Sequence, residues 1–234
     1  MRRPRASLLA RAIDRVTLPV RHRVLRRRAR RLLLEEWNGL RLLVLPEVLN
    51  PVAFRSGVLL AETLSALPLP SRPGAPRALD MGTGSGIGAL ALARAGFSVL
   101  AVDVSPEAVR CARINALLNH LETRIEVREG DLFAPVGGER FDIVAFNPPF
   151  FDGEPADLHD AAWRGQGVLE RFAAGLAAHL APGGAALVLL SDLGPEARQL
   201  DALRAVGLDV SERASRSWTR ERLTVWAALP REGA

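Results

Sequence analysis

The sequence of 234 residues has no tyrosine, no lysine, one cysteine and four histidines. The single cysteine, Cys111, excludes a disulfide within the chain and a cysteine-rich metal site. It lies among small apolar residues of a predicted helix, so we interpret it as part of the core rather than as a reactive thiol. The histidines show no paired ligand spacing, and we therefore expect no metal site.

Long hydrophobic runs are also absent. No segment reaches the roughly 18 uninterrupted apolar residues that a membrane helix needs, so we expect no membrane association. The basic start of the chain resembles the first part of a signal peptide, but Arg11, Asp14 and Arg15 interrupt the apolar stretch that should follow. The expected location is the cytoplasm.

The residues that are present indicate a globular protein with a basic N-terminus. Hydrophobic residues make up 48% of the chain, which is enough for a sizeable core. The net charge is +5, and residues 1–36 are dense in arginine, with helix-like spacing before Pro19 and a second stretch over Arg21–Glu36. We predict a helical, Arg-rich N-terminal extension, which is either a solvated helical face or a footprint for phosphate backbone or the ribosome surface.

Residues 39–76 have the pattern of a lid that leads into the main domain. Leu40, Leu42 and Val44 alternate as in a short strand, and a turn at Asn50-Pro51 precedes a short predicted helix over residues 58–67. We therefore divide the chain into an N-terminal extension and lid, residues 1–69, and a second domain, residues 70–234.

In the second domain, apolar strand-like runs alternate with helical patterns. This alternation predicts an α/β fold, a doubly wound and mostly parallel seven-stranded sheet with helices on both faces. The last two runs have no helix between them and fit a hairpin that adds one antiparallel strand. The predicted strands are residues 78–81, 99–104, 125–127, 141–146, 185–190, 208–210 and 223–229, and the predicted helices are residues 87–95, 106–118, about 161–180 and 195–205.

A glycine-rich turn follows the first of these strands. Asp80 precedes Gly82, Gly84 and Gly86, and a helical pattern begins directly afterwards. Glycines permit a tight turn and let a ligand approach the bare backbone, although such a turn alone does not separate several nucleotide cofactors. No Lys-Ser/Thr pair closes the turn, which argues against a phosphate-cradling P-loop. A nicotinamide dehydrogenase would normally show G-x-G-x-x-G instead.

Acidic residues follow the next two strands at the same edge of the predicted sheet. Asp103 ends the second strand, about 20 residues beyond the first glycines, where an acid accepts hydrogen bonds from ribose hydroxyls in doubly wound folds. Asp131 follows the third strand, where its carboxylate is able to accept a hydrogen bond from an adenine amino group. Leu132 or Phe133 would then lie against the ring.

The sharpest signal is Asn147-Pro148-Pro149-Phe150, directly after the apolar strand over residues 141–146. Two prolines stiffen the backbone and lack N–H groups. The Asn147 side-chain oxygen and the Pro148 carbonyl form two fixed acceptors for the hydrogens of an –NH2 group. Phe150 offers a flat face for a planar amide or base, and its electron-rich surface favours a nearby cation.

In this order and spacing, the four motifs resemble those of class I S-adenosylmethionine-dependent methyltransferases of the Asn-Pro-Pro-Phe/Tyr branch. This branch methylates the amide of glutamine or the exocyclic amino group of a nucleobase. The resemblance implies S-adenosylmethionine as the cofactor and an N-methyltransferase activity. It implies that Asp80, Gly82, Gly84, Gly86, Asp103, Asp131, Leu132 and Asn147 bind the cofactor and that Asn147, Pro148, Pro149 and Phe150 are catalytic.

Segments around Trp163 and Glu221 are most similar to release-factor glutamine methyltransferases. That family has a proline followed by an acidic pair and threonine before its first helix. This sequence has Phe54, Arg55 and Ser56 after Pro51 instead, so acids near the expected lid are missing.

Several acceptors remain open at this point. A protein glutamine, as in a release factor, is one hypothesis, and a nucleobase amino group in ribosomal or transfer RNA is another, which the Arg-dense N-terminus favours. A free small molecule is a third. The chain could also act without catalysis, as a cofactor-binding adaptor for RNA or the ribosome. The sequence does not indicate an oligomeric state.

Overall fold

The computed structural model describes residues 31–70, 74–155, 160–218 and 221–231. These residues form nine strands and five α-helices, two strands of which make a separate N-terminal hairpin. In chain order the elements are β1 (Leu33–Trp37), β2 (Leu40–Val44), α1 (Ser56–Ser65), β3 (Arg77–Met81), α2 (Ile87–Arg94), β4 (Ser98–Asp103), α3 (Pro106–Leu118), β5 (Ile125–Glu129), β6 (Phe141–Phe146), α4 (Val168–His179), β7 (Leu180–Ser191), α5 (Glu196–Ala205), β8 (Leu208–Ser217) and β9 (Arg222–Pro230).

The remaining seven strands form one sheet in the order β5-β4-β3-β6-β7-β9-β8. Every pairing is parallel except those of β9, which runs antiparallel to both β7 and β8. The predicted doubly wound, mostly parallel seven-stranded sheet with one antiparallel strand is thus confirmed. The chain moves outward from β3 through β4 to β5 and then returns to place β6 on the other side of β3. This reversal opens a crevice at the carboxyl ends of β3 and β6, where ligands bind in folds of this kind.

Helices cover both faces of the sheet, so successive strand residues enter two different cores. In β3, Ala78 belongs to the core under α1, α2 and α3, whereas Leu79 belongs to the core under α4 and α5. Both side chains are 0% exposed. Burial on both faces explains why these strands are continuous apolar runs rather than alternating ones.

The N-terminal region differs from its prediction. The stretch Arg21–Glu36 was expected to be helical, but Leu33–Trp37 is a strand that pairs antiparallel with β2. Asn38 and Gly39 connect the two strands, with φ angles of 49° and 77°. Asn-Gly is the preferred pair for a two-residue hairpin turn that needs positive φ at both positions, and this signal outweighs the helix-like spacing before it. Residues 1–30 of the predicted helical extension lie outside the described residues.

The hairpin is fixed to the main domain by Asn115 of α3, which is fully buried. Its Oδ1 accepts a hydrogen bond from the Leu43 N–H at 2.7 Å, and its Nδ2 donates to the carbonyls of Leu43 and Ser85, each at 2.8 Å. One amide thus joins the edge of β2 to the glycine-rich turn. Cys111, one helical turn earlier, is buried as expected, and burial raises the pKa of its thiol to about 11.

The lid residues share the core of the sheet. Leu42 of β2 and Leu64 of α1 are 0% exposed and pack with the first core cluster. The division between residues 69 and 70 stays a prediction. In the ranges that the structure describes, none of the helices is both long enough and apolar enough to span a bilayer.

Candidate active site

A cavity of about 540 Å³ lies at the carboxyl ends of the central strands. Its wall combines the glycine-rich turn after β3 with the residues that follow β4, β5 and β6, together with parts of the lid and of the segment before α4. Eight of the sequence-predicted site residues line it, namely Asp80, Gly82, Gly84, Asp103, Asp131, Leu132, Asn147 and Pro149. Gly86, Pro148 and Phe150 do not.

The glycines of the turn are required by conformation and by close packing. Gly82 and Gly86 have φ angles of 61° and 85°. A Cβ at Gly82 would lie 3.2 Å from the Phe146 ring, and one at Gly86 would lie 3.1 Å from the Cα of Ala112. Gly82 therefore brings bare backbone to the cavity wall, whereas Gly86 lets α2 pack closely against α3.

Asp80 holds the glycine-rich turn in shape. Its Oδ2 accepts hydrogen bonds from the Thr83 hydroxyl at 2.6 Å and from the Ala89 N–H in the first turn of α2 at 2.8 Å. Burial raises the pKa of this carboxyl group to about 6, although both hydrogen bonds act in the opposite direction. The described contacts of Asp80 are thus with the turn itself, while the residue also forms part of the cavity wall.

Asp103 connects the end of β4 to the same turn. One carboxylate oxygen accepts from the Gly84 N–H and the other from the Ser105 N–H, each at 2.9 Å. Burial raises the pKa of Asp103 as well. Ser105 also caps α3, since its hydroxyl accepts from the Ala108 N–H at 3.4 Å.

Asp131 and Leu132 lie beyond β5 at the far end of the cavity. Asp131 is exposed and forms an ion pair with Arg171 of α4, which also lines the cavity. Leu132 adopts a left-handed conformation with a φ of 48° and reaches the cavity wall. Phe133 stacks instead on His179, with ring centroids 4.3 Å apart. Of the two hydrophobic candidates, Leu132 is the one at the cavity.

Asn147 lies directly after β6 and is half-buried in the cavity wall. Its Nδ2 donates a hydrogen bond to the Ser56 hydroxyl at 3.4 Å. Its Oδ1 is buried and accepts no hydrogen bond from any residue that the structure describes. Within the same residues, the Pro148 carbonyl is also free of hydrogen bonds. Buried polar atoms without a hydrogen-bond partner are rare in folded proteins. Such an atom in a cavity wall therefore indicates a ligand that supplies the missing hydrogen bond.

Phe150 does not present its ring to the cavity as the sequence suggested. It is 8% exposed and packs in the core cluster that contains α1 and α2. Its carbonyl lies so close to Gly194 that a Cβ there would approach the oxygen to 2.3 Å. A large apolar side chain gains more by burial than by lining an open cavity, and the motif alone does not show which way it turns.

The segment before α4 also reaches the cavity, although no site role was predicted for it. Phe151 and Arg164 form a parallel bridge, with the Phe151 N–H donating to the Trp163 carbonyl at 2.9 Å. Gly165 packs against Pro149, since a Cβ there would lie 3.3 Å from the proline ring. Gly165 and Gln166, which follow this bridge, line the same cavity as Asn147 and Pro149. The resemblance around Trp163 was the only sequence signal for this placement.

No set of three or more His, Cys, Asp and Glu side chains within the described ranges is arranged to hold a metal ion.

Comparison with known proteins identifies the family. The family model of the methyltransferase small domain matches residues 56–206. A provisionally named protein N5-glutamine methyltransferase of Methanocaldococcus jannaschii is 32% identical over 184 residues, which cover 75% of this chain and 88% of that protein. A release factor glutamine methyltransferase of Koribacter versatilis is 34% identical over 166 residues, which cover 64% of this chain but only 57% of that protein.

A solved structure shows the same fold. The 16S ribosomal RNA N2 methyltransferase of T. thermophilus, in complex with AdoMet and guanosine, superposes with a TM-score of 0.60. The match covers 86% of this chain and 50% of that one, at 23% identity. The chain therefore belongs to the methyltransferase small domain family, and it is an S-adenosylmethionine-dependent N-methyltransferase.

Proposed function

We propose that the chain methylates the side-chain amide of a glutamine in a protein acceptor of the release-factor type. The observation that carries this proposal is Asn147, a residue of the cavity wall whose buried Oδ1 accepts no hydrogen bond within the described residues. An –NH2 group bound at this point would donate a hydrogen bond to this oxygen. The 32% identity to the archaeal glutamine methyltransferase, of which this chain covers 88%, supports an amide rather than a nucleobase as the source of that group.

The proposed cofactor residues fit S-adenosylmethionine in chemistry and position. Gly82 and Gly84 supply bare backbone, and Asp103 at the end of β4 supplies a carboxylate for ribose hydroxyls. Asp131 and Leu132 supply an acceptor for the adenine amino group and an apolar contact for its ring. Asp80 and Gly86 act indirectly, because they fix the glycine-rich turn and its packing.

The proposed reaction depends on the positioning of the acceptor nitrogen more than on a general base. Bound S-adenosylmethionine supplies a methyl group on a cationic sulfur. Asn147 Oδ1 at the cavity wall accepts one hydrogen of the amide –NH2 and so fixes the direction of its nitrogen lone pair, and the Pro148 carbonyl, whose residue does not itself line the cavity, is the predicted second acceptor. Pro149 stiffens the backbone that carries these acceptors. Positive charge builds up on the nitrogen only during methyl transfer, so hydrogen-bond acceptors that are fixed in advance stabilise the transition state. The nitrogen loses its extra proton afterwards.

We also propose that residues 70–234 carry the methyltransferase domain and that residues 1–69 are its extension and lid. Val48, Pro51, Gly57 and Leu60 supply part of the cavity wall, which supports the lid role of this region.

The acceptor class is tested by incubating a lysate of the cells that encode this chain with cofactor labelled in the methyl group. We expect label in protein that survives ribonuclease, and mass spectrometry should place one methyl group on a glutamine. Asn147→Ala provides the control for background incorporation. Label that ribonuclease removes would assign the enzyme to a nucleobase amino group instead.

A further inference from the structure

The first residue of α1 contacts the proposed catalytic asparagine. Ser56 is 3% exposed, and its hydroxyl oxygen accepts the hydrogen bond from Asn147 Nδ2, although the two residues are 91 positions apart. We propose that Ser56 is a positioning residue for methyl transfer, which holds the Asn147 amide at its nitrogen end and leaves Oδ1 to the acceptor. This inference rests on the proposed function of Asn147.

The turn before α1 fixes where Ser56 lies. Asn50 is 6% exposed, and its Oδ1 accepts hydrogen bonds from the N–H groups of Val52 and Ala53, each at 3.0 Å. Its Nδ2 donates to Glu35 Oε1 at 2.8 Å, which ties the turn to the hairpin. Arg55, directly before the helix, has a φ of 63°, so the chain makes a sharp change of direction there. Ser56 is therefore held by backbone geometry and not by its own side chain.

Close packing removes the remaining freedom of this helix end. Gly57 is buried against Pro51, where a Cβ would approach the proline Cβ to 2.6 Å. The same Cβ would lie 3.5 Å from Ile87 at the start of α2, so the beginning of α1 is in contact with the helix that follows the glycine-rich turn. The backbone at Ser56 therefore cannot move away from Asn147 without disturbing this packing.

The physical effect follows from the structure of a primary amide. Its two ends are similar in size, so hydrogen bonds rather than shape decide how it is turned. Ser56 is the one hydrogen-bond partner of the Asn147 side chain among the residues that the structure describes. Without this bond the Asn147 amide has no hydrogen-bond partner among the described residues, so the direction in which it presents Oδ1 to an –NH2 group is no longer fixed. The bond of 3.4 Å is long, and hydrogen bonds of this kind shorten when the substrate is bound.

The test compares Ser56→Ala with Ser65→Ala, a matched control at the other end of α1. The Ser65 hydroxyl donates to the Ala61 carbonyl at 2.9 Å, so both variants lose one hydroxyl bond in the same helix. We expect Ser56→Ala to lower kcat about tenfold, measured as methyl label entering whichever fraction the wild type labels. The Kd for S-adenosylmethionine should stay within about twofold, Ser65→Ala should keep full kcat, and Ser56→Thr should recover most of the loss. A kcat of Ser56→Ala close to that of the control would overturn the proposal, as would equal losses for Thr and Ala.

A second measurement needs no acceptor and so separates this inference from the proposed function. In the NMR spectrum of the full chain with S-adenosylmethionine, the Asn147 side-chain NH2 signal is assigned by its loss in Asn147→Ala. We expect its exchange with solvent to be about tenfold faster in Ser56→Ala than in the wild type or Ser65→Ala. Unchanged exchange contradicts the proposal. If Ser56→Ala lowers Tm more than the control does, Ser56→Cys, which fills the space with a weaker acceptor, takes its place in both measurements.

Discussion

The two sides of the cavity differ in how their residues are brought together. The cofactor side, defined as Asp80, Gly82, Gly84 and Asp103, is built from residues that lie within one strand-turn-helix-strand unit. The acceptor side, defined as Asn147, Pro149 and Gly165 of the cavity wall with Ser56, which bonds to Asn147, is assembled from three segments that are distant in the chain. Asp80 and Asp103 each accept two hydrogen bonds from within the cofactor side or its neighbouring turn. Asn147 has one long bond, to Ser56.

The two sides should therefore respond differently to substitution. The carboxylates of the cofactor side already accept hydrogen bonds from the turn and helix ends around them, so this side is preformed and sensitive to changes that alter folding. On the acceptor side, Oδ1 of Asn147 has no partner among the described residues. The free-energy cost of burying this oxygen is offset only when a methyl acceptor donates a hydrogen bond to it. Changes on the acceptor side should therefore affect turnover, whereas changes on the cofactor side should affect cofactor affinity and stability.

The largest expected effect is that of Asn147→Ala. Removing the proposed acceptor of the –NH2 group should lower kcat about 1000-fold, or about 4 kcal/mol, because this contact is made in the transition state. The Kd for S-adenosylmethionine, measured by calorimetry, should change less than about threefold. Asn119→Ala is the control, since Asn119 bonds to Arg41 away from the cavity. Retained turnover in Asn147→Ala would remove the distinction between the two sides.

The buried carboxyl of Asp80 should make stability depend on pH. Its pKa is raised to about 6 from an ordinary value of 3.8, so the folded state binds the proton more tightly than the unfolded state does. The stability that protonation provides is present below pH 4 and is lost as the pH rises through 6, a difference of about 3 kcal/mol. Urea unfolding of the wild type and Asp80→Asn between pH 4 and 7 measures it. Parallel profiles for the two proteins would contradict this assignment.

Asp103→Asn should weaken cofactor binding about 100-fold, or about 2.7 kcal/mol. The amide keeps the shape of the carboxylate but loses the negative charge and one of the two acceptor oxygens. These groups hold the glycine-rich turn and would accept hydrogen bonds from the ribose hydroxyls. Titration calorimetry with S-adenosylmethionine measures the change, and kcat at saturating cofactor should fall far less. Asp209→Asn is the control, because Asp209 pairs with Arg231 at the outer edge of the sheet. An unchanged Kd would show that Asp103 serves only the turn.

The smallest effect is expected for Arg171→Ala. Arg171 and Asp131 are about half-exposed, so their ion pair contributes less than about 1 kcal/mol to stability. Cofactor affinity should change about threefold or less, and the change should disappear at high salt. Arg204→Ala, which breaks a pair of the same kind with Asp201, controls for surface charge. A tenfold loss of affinity specific to Arg171→Ala would add this residue to the cofactor side.

Much of the fold was accessible from local pattern. All seven strands of the sheet, the antiparallel one among them, were predicted from apolar runs bounded by turn residues, although β8 is largely exposed and extends beyond its predicted residues 208–210 to Ser217. Strand β1 was missed, since Leu33–Trp37 continues a helix-like spacing and only the Asn38-Gly39 turn identifies it. The predicted helix over about 161–180 begins only at Val168, because residues before it form the bridge to Phe151.

The cofactor side could be predicted from the sequence alone. A strand, a glycine-rich turn and a following acid lie close together in the chain, so their chemistry is visible as spacing. The acceptor side depends on tertiary packing, because Ser56 contacts Asn147 across 91 positions of the chain and Gly165 packs against Pro149 across 16. Tertiary packing also turned Phe150 into the core, because the side chain of a motif residue follows the packing around it and not the motif.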